Sequence, residues 1–302
     1  MRILVYSPNH LDEWLAETRQ HFPEADVQGW PCTPDWQADY ALLWKPPAEL
    51  FQQQNTLKAV FVLGAGVDAQ LPLIPDSLPL YRLEDSGMGE QMADYVSHYL
   101  LRWFYRYDAY QLQHHWQPGT LDDKARWRVT ILGYGAMGSA VAERVRQLGF
   151  PVQAWRRQPA GDAAIPVHAG LDALPACLGS TRVLVNLLPL TPETRGLLNQ
   201  QRLSQLPPDS YLINLARGAH VVDEDLLAAL DSGHLAGATL DVFQHEPLPA
   251  EHRYWQHPKV NVTPHIGALT PLPDALQQIQ QKLGCLLQGL PAGGLVDRHR
   301  GY

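Results

Sequence analysis

The chain has 302 residues, of which 45% are hydrophobic, and a formal net charge of −8. Its length favours two domains over one, and its acidic balance argues against a nucleic-acid-binding protein, whose surface concentrates positive charge. Cys32, Cys177 and Cys285 lie far apart without CxxC spacing, which argues against a zinc site or a disulfide framework and favours a reduced compartment.

Hydropathy argues against a membrane span. No apolar run approaches the roughly 18 to 20 residues that cross a bilayer. The first apolar run, residues 3–6, is too short for the core of a signal peptide. We therefore expect a soluble, cytoplasmic protein that binds neither membrane nor nucleic acid. No metal site is indicated either, because His114 and His115 have no third ligand at a suitable spacing.

Short apolar runs alternate with polar helical stretches over residues 1–96, which predicts a small parallel α/β domain. The predicted strands of this domain are residues 3–6, 40–44 and 60–63. A helix is predicted for residues 90–107 because apolar residues recur on one helical face, and we place the domain crossover within it. These apolar residues are Val96, Leu100, Trp103 and Tyr107.

From residue 129 onward the alternation of strand and helix becomes stricter. The predicted strands are residues 129–132, 152–155, 182–188, 211–215, 238–242 and 260–263. This alternation is typical of a doubly wound parallel sheet. The tail, residues 271–289, is again helical, and we expect it to pack on the first domain.

The expected fold class is therefore α/β, with two domains. A Rossmann-type nucleotide domain, whose sheet is doubly wound and parallel, takes residues 97–267. A smaller, discontinuous α/β substrate domain of flavodoxin-like type takes residues 1–96 and 268–302.

A glycine-rich turn, Gly133-Tyr134-Gly135-Ala136-Met137-Gly138, joins the predicted strand 129–132 to a helix. Gly133 permits the tight turn, Gly135 lets the backbone approach a pyrophosphate, and Gly138 lets helix and strand pack closely. The N–H groups at the helix N-terminus, around Ala136 and Met137, then face the phosphates. In this context the turn indicates a dinucleotide site, and a βα turn without ligand is the alternative.

Two arginines, Arg156 and Arg157, follow the second strand of this half. An NAD-binding domain carries an acidic residue there for the ribose 2′-hydroxyl, and such a carboxylate would repel a 2′-phosphate. Guanidinium groups would bind that phosphate through charge-assisted hydrogen bonds. The sequence therefore predicts NADPH as the cofactor, and solvated surface arginines are the alternative.

Three further polar residues follow predicted strands, at the positions where open α/β sheets bind ligands. Redox chemistry at a carbonyl requires, beside the nicotinamide, a cation for the substrate carboxylate, a proton donor for the developing alkoxide and a group that tunes the donor. Arg217, His265 and Glu246 are the candidates for these roles, in that order. Singly, each is ordinary for a surface or loop residue; together they indicate an active site, which we expect in the cleft between the domains.

At these three stretches the chain resembles the D-isomer-specific 2-hydroxyacid dehydrogenases, whose Arg, Glu and His occur in the same order. The resemblance extends over nearly the whole chain. It includes residues 63–68, the glycine turn, residues 188–194 and the three catalytic stretches. It is strongest to the members that reduce glyoxylate and hydroxypyruvate, through residues 44–47, 87–91 and 296–302.

The resemblance implies further residue roles and a homodimer. The other implied members of the cofactor site are Leu188, Pro189, Thr194, Leu215, Ala216, Asp241 and Gly267. The implied substrate contacts, besides Arg217, are Trp44, Lys45, Ala65, Gly66 and Val67. Lys45 is equally well explained as a surface lysine.

The predicted function is NADPH-dependent reduction of small 2-keto acids, glyoxylate to glycolate and hydroxypyruvate to D-glycerate, with His265 as proton donor. The substrate names are implied by the resemblance, whereas the residues alone indicate a 2-keto acid. Another D-2-hydroxyacid dehydrogenase, of phosphoglycerate or D-lactate type, would share these catalytic residues. A noncatalytic dinucleotide sensor is the alternative from a different class.

Overall fold

The computed structural model describes residues 1–159, 161 and 163–302. Packing divides the chain into a first unit, Met1–Gly87 with Thr270–Tyr302, and a second unit, Met88–Leu269. The sequence places the first boundary at residues 96 and 97, inside a predicted helix. In the structure the division precedes this helix, because the whole helix packs on the second unit.

The strands in chain order are β1 (Arg2–Tyr6), β2 (Asp26–Gly29), β3 (Tyr40–Leu43), β4 (Ala59–Val62), β5 (Leu80–Tyr81), β6 (Val129–Leu132), β7 (Val152–Arg156), β8 (Val167–Ala169), β9 (Val183–Asn186), β10 (Ser210–Asn214), β11 (Leu235–Leu240) and β12 (Val260–Val262). The α-helices are α1 (Leu11–His21), α2 (Ala48–Gln53), α3 (Met88–Phe104), α4 (Tyr107–Gln111), α5 (Ala136–Gln147), α6 (Leu174–Leu178), α7 (Gln200–Leu203), α8 (Asp223–Asp231) and α9 (Leu272–Leu287).

The first unit is built on a parallel sheet with the strand order β2-β1-β3-β4-β5. This is the flavodoxin-like order, as predicted. The sequence prediction missed β2 and β5, because a four-residue strand that is only partly buried and a two-residue strand give little apolar signal. The tail helix α9 packs on α1, so both ends of the chain belong to this unit.

Lys282 of α9 fixes the last residues of the chain to the first unit. Its buried ammonium group donates to the carbonyl oxygens of Arg82 (3.0 Å) and Gly293 (2.8 Å) and lies 3.3 Å from the Glu84 carboxylate. Burial nevertheless lowers the pKa of Lys282. The polar contacts therefore offset only part of the cost of removing this charge from water.

The second unit is built on a parallel sheet with the order β12-β11-β10-β9-β6-β7-β8. The order reverses at β6, which lies between β7, the next strand in the chain, and β9, the third strand after it. Doubly wound sheets bind ligands outside the carboxyl ends of the strands at such a point. The predicted fold class is thereby confirmed.

Helices cover both faces of this sheet. Val129 and Ile131 pack into a core formed with α3 and α5, whereas Leu132 contributes to a second core that includes residues of α6, α7 and α8. Strands buried on both faces read as continuous apolar runs, which explains their clear sequence signal. Within the described ranges, no helix has the length and apolar character needed to cross a membrane.

Candidate active site

The glycine turn follows β6 and opens α5. Gly133 has φ +97°, and a Cβ placed on it would lie 2.7 Å from the carbonyl oxygen of Leu187, so both conformation and packing require glycine. A Cβ on Gly138 would overlap the carbonyl oxygen of Gly133. These two glycines therefore serve the fold, because larger residues would prevent the turn from closing against the helix and the loop after β9.

Gly135 differs from the other two glycines of the turn. A Cβ on Gly135 would meet no atom of the described residues within 4 Å, and both Gly135 and Ala136 are exposed. The first N–H groups of a helix have no acceptor within the helix, and Gly135, the N-cap, supplies no side chain for them. The open side of the turn thus fits an anionic ligand such as a pyrophosphate.

Arg156 ends β7 and Arg157 follows it. The main chain is fixed there, since the Arg156 carbonyl accepts from the Gly170 N–H (3.1 Å) and the buried Trp155 indole donates to the Gly170 carbonyl (2.9 Å). Both arginines are partly exposed. They occupy the end of the second strand, as predicted.

Arg157 already has an acidic neighbour. Its Nη1 lies 3.5 Å from Oε2 of Glu193, and 58% of the Glu193 side chain is exposed. Hydrogen bonds from the Thr191 hydroxyl and from its own N–H, together with the Arg157 charge, lower the pKa of Glu193. A bound phosphate at Arg157 would therefore compete with an ionised carboxylate.

The loop after β9 holds Leu188, Pro189 and Thr194. The predicted strand 182–188 ends two residues earlier in the structure, at Asn186, so Leu188 lies in this loop. The Thr194 hydroxyl donates to the Pro189 carbonyl (2.8 Å) and accepts from the Thr191 N–H (2.8 Å). These bonds fold the loop back on itself beside the glycine turn, whose Gly133 packs on Leu187.

Arg217 follows β10, directly after the buried pair Leu215 and Ala216. Its Nη1 donates to the Ala216 carbonyl (2.7 Å). A Cβ on Gly218 would overlap the backbone of Phe243, which lies in the loop after β11. The absence of a side chain at Gly218 therefore lets the loops after β10 and β11 touch.

Glu246 and His265 form a hydrogen-bonded pair. His265 Nδ1 lies 2.8 Å from Glu246 Oε2, and the other carboxylate oxygen accepts from the Phe243 N–H (3.0 Å). Partial burial acts to raise the pKa of Glu246, but the hydrogen bonds from His265 and Phe243 and the charge of Arg217 hold this pKa below its usual value. The structure thus brings together the three residues that the sequence proposes as catalytic.

His265 has a left-handed backbone, with φ +55°. Its N–H donates to the Asp241 carbonyl (2.8 Å), and the buried Asp241 carboxylate accepts from the N–H groups of Ile266 (2.8 Å) and Gly267 (2.8 Å). A Cβ on Gly267 would lie 2.9 Å from Asp241 Oδ2. Asp241 therefore holds the loop that presents the exposed His265 side chain.

Two residues behind this loop were missed by sequence reasoning. The Thr263 hydroxyl donates to Asp241 Oδ1 (2.6 Å), and Tyr95 of α3 shares a hydrogen bond of 2.6 Å with the same hydroxyl. Burial strongly raises the pKa of Tyr95, so its phenol stays protonated. No sequence pattern links Tyr95 to Thr263, because the two lie 168 residues apart.

The predicted substrate contacts Trp44, Lys45, Ala65, Gly66 and Val67 lie in the first unit. Trp44 and Lys45 follow β3, and residues 65–67 follow β4. Lys45 is exposed and has φ +45°, whereas Val67 is buried. A Cβ on Gly64 would lie 2.5 Å from the Trp44 ring, so the two loops pack on each other within this unit.

Comparison with known proteins shows which proteins this chain is similar to. A family model described as "D-isomer specific 2-hydroxyacid dehydrogenase, NAD binding domain" matches residues 96–267. The glyoxylate/hydroxypyruvate reductase A of Serratia proteamaculans is 45% identical over 313 residues, which is 100% of both chains.

Solved structures agree with this result. A D-isomer specific 2-hydroxyacid dehydrogenase from Xanthobacter autotrophicus Py2, in complex with NADPH and MES, has 37% identity and a TM-score of 0.94 over 100% of this chain and 99% of that chain. An NADPH-dependent glyoxylate/hydroxypyruvate reductase from Sinorhizobium meliloti, in complex with NADP and sulfate, has 33% identity and a TM-score of 0.92 over the same shares.

The different surroundings of Gly135 and Gly138 predict opposite outcomes for the same substitution. Gly138→Ala should lower the free energy of unfolding by about 1–3 kcal/mol, because the methyl group overlaps the turn. Gly135→Ala should leave the melting temperature unchanged but weaken dinucleotide binding about tenfold or more, since its methyl group fills the open side. Thermal melts and titration calorimetry measure both. Undiminished affinity in Gly135→Ala would contradict the assignment of the pyrophosphate site.

Proposed function

The chain belongs to the D-isomer specific 2-hydroxyacid dehydrogenase family, and from this premise we propose that it is an NADPH-dependent reductase of small 2-keto acids. Its proposed reactions are glyoxylate to glycolate and hydroxypyruvate to D-glycerate. One observation carries the proposal: His265 and Glu246 are paired at 2.8 Å, and the charge of Arg217 acts on the same carboxylate. The names of the relatives support the choice of substrates.

Each of the three residues has a distinct task. Arg217 binds the substrate carboxylate, because a guanidinium group offers two parallel donors. When bound, NADPH supplies the hydride that reduces the carbonyl carbon. His265 donates a proton to the carbonyl oxygen, and the Glu246 carboxylate stabilises the imidazolium before the transfer. In the reverse direction His265 accepts the proton.

The residues around the glycine turn fit NADPH. Gly135, Ala136 and Met137 offer the pyrophosphate a helix N-terminus, and Arg156 and Arg157 offer the 2′-phosphate two cations. The other proposed cofactor contacts are Leu188, Pro189, Thr194, Leu215, Ala216, Asp241 and Gly267. Trp44, Lys45, Ala65, Gly66 and Val67 remain the proposed substrate contacts of the first unit.

The proposal is tested by steady-state kinetics on glyoxylate, hydroxypyruvate, pyruvate and phosphohydroxypyruvate with both cofactors. Glyoxylate and hydroxypyruvate with NADPH should give the highest kcat/KM. His265→Asn is the matched inactive variant, because asparagine tolerates a left-handed backbone, and its kcat should fall roughly 10²- to 10⁴-fold with NADPH binding retained. Higher kcat/KM on pyruvate or phosphohydroxypyruvate would favour another dehydrogenase of the family, and no turnover at all would favour a sensor.

Removing either arginine should reduce the preference for NADPH. Arg156→Gln should lower the ratio of kcat/KM for NADPH to that for NADH about tenfold or more, since a charge-assisted hydrogen bond is lost. Arg157→Gln should lower it less, because Glu193 already shares that guanidinium. Arg146→Gln, an exposed arginine paired with Glu143 on α5, is the control. An unchanged ratio in both Arg156→Gln and Arg157→Gln would show that neither arginine binds the cofactor.

Replacing Glu246 should shift the pH dependence of reduction. Because its pKa is held below the usual value, Glu246 is ionised at neutral pH, and its effect on His265 is lost only as pH falls through that lowered pKa. Glu246→Gln removes the charge but keeps a hydrogen-bonding group. The alkaline limb of kcat/KM for reduction should therefore move to lower pH. An alkaline limb at the parental position would limit Glu246 to a structural role.

A homodimer in the cytoplasm is the proposed state of the enzyme. The second unit exposes large apolar side chains over a short segment, and such patches are typical of protein interfaces. They are Tyr107, Tyr110, Leu112, Trp116 and Leu121, of which Trp116 is 96% exposed. A second copy of the chain is the proposed occupant of this segment.

The apolar segment makes the dimer testable. Leu121→Asp should shift sedimentation at micromolar concentration from dimer towards monomer, because a charge would be buried in the interface. Leu171→Asp, which alters another exposed leucine of the same unit, is the control and should leave the dimer intact. A parent protein that sediments as a monomer would rule out the dimer.

A further inference from the structure

Three buried polar side chains lie beneath the loops of the candidate site, and the proposed chemistry uses none of them. Asn186 and Asn214 end the neighbouring strands β9 and β10 and are paired in register. His220 ends the short 3-10 turn that follows Arg217. All three are 0% exposed. Burying such groups is costly unless they are hydrogen-bonded, so their partners indicate their task.

Backbone donors fix how the two amides are turned. The N–H of Leu188 donates to Oδ1 of Asn186 (3.3 Å), and the N–H of Ala216 donates to Oδ1 of Asn214 (3.2 Å). Each Nδ2 must therefore face the other way. Asn186 Nδ2 donates to Asn214 Oδ1 (3.0 Å), and Asn214 Nδ2 donates to the carbonyl oxygen of Arg217 (3.1 Å).

The same reasoning assigns the tautomer of His220. Its Nε2 lies 3.3 Å from the carbonyl oxygen of Pro189, which can only accept, so Nε2 carries the proton. Its Nδ1 lies 3.0 Å from Nδ2 of Asn186, which can only donate, so Nδ1 accepts. His220 is therefore a neutral imidazole with the proton on Nε2.

This network joins two loops. At one end it holds the N–H of Leu188 and the carbonyl of Pro189, in the loop proposed to contact the cofactor. At the other end it holds the backbone of Ala216 and Arg217, in the loop proposed to bind the substrate carboxylate. Asn186 bonds both to His220 and to Asn214, so these side-chain hydrogen bonds connect the backbone of one loop to the backbone of the other.

We propose that Asn186, Asn214 and His220 are positioning residues. They fix the loops after β9 and β10 relative to each other and so couple NADPH binding to the placement of Arg217. The roles of the two loops rest on the proposed function. The three side chains act through backbone groups rather than on substrate or cofactor.

Four variants separate this role from simple core stability. His220→Leu removes the imidazole bonds to Asn186 and to Pro189, whereas His220→Gln keeps one acceptor for Asn186 and one donor for Pro189. Asn214→Asp keeps the shape but places an oxygen against the Arg217 carbonyl. Tyr211→Phe is the control, because it removes a buried hydroxyl at the opposite end of β10, where the partners are Thr239 and Asn261.

Each variant is characterised by three measurements: the dissociation constant for NADPH, the KM and kcat for the best 2-keto acid, and the melting temperature. His220→Leu should weaken NADPH binding and raise KM, each about tenfold, the usual scale for losing a buried hydrogen bond. His220→Gln should restore both to within about threefold of the parent. Asn214→Asp should raise KM about tenfold with a smaller effect on NADPH, whereas Tyr211→Phe should lower only the melting temperature.

Imidazole nitrogen NMR on the parent protein, with the His220 signals assigned by their loss in His220→Gln, should report the Nε2–H tautomer. An Nδ1–H tautomer or an imidazolium would overturn the inference. So would parental KM and NADPH affinity in His220→Leu and Asn214→Asp, because these values would mean that the network serves stability alone.

The inference and the proposed function fail separately. If the parent protein reduces no 2-keto acid, the proposed function is wrong. The NADPH affinities of the variants and the tautomer of His220 then still test the role of the network. If the parent protein is active and the variants keep its KM and NADPH affinity, only the positioning role of the network is contradicted.

Discussion

The parallel pairing of the strands in the second unit determines where the residues of the candidate site can lie. Since all strands run in one direction, every loop that follows a strand leaves at the same edge. The glycine turn follows β6 at the reversal of strand order, while Arg217, Glu246 and His265 follow β10, β11 and β12, which are neighbours. Residues up to 132 positions apart in sequence, from Gly133 to His265, thus reach one edge without a special chain path.

The sequence was sufficient for the parts that carry strong local signals. Strands buried on both faces, the glycine turn and the three polar residues after strands could all be read from pattern and spacing, and the fold class is confirmed. The three-residue strand β8, which is partly exposed along its whole length, was not predicted, because Val167 is followed by a histidine and an alanine and the segment forms no apolar run. The network of Asn186, Asn214 and His220 could not be predicted either, because its hydrogen bonds depend on the register between β9 and β10.

Local conformations at the site are fixed by neighbours rather than by intrinsic preference. A non-glycine residue with positive φ is unfavourable, and His265 keeps this conformation because Asp241 accepts hydrogen bonds from the N–H groups of His265, Ile266 and Gly267. Gly218 and Gly267 extend the same principle, since each is closely covered by an adjacent loop. The main chain at His265 is therefore fixed before any ligand arrives, and the Glu246 hydrogen bond orients the imidazole, which lowers the cost of placing it for the proposed reaction.

The Arg157–Glu193 pair also bears on how cofactor choice can evolve. Glu193 acts as a built-in counterion, so Arg157 is not left with an unscreened charge when no 2′-phosphate is present. For the 2′-phosphate contact proposed at Arg157, this internal anion reduces the net gain from the phosphate and also the penalty for a cofactor that lacks it. At the proposed 2′-phosphate site, discrimination between the two nicotinamide cofactors can therefore be adjusted by substitution at the exposed Glu193, while Gly133 and Gly138, which the fold requires, stay unchanged.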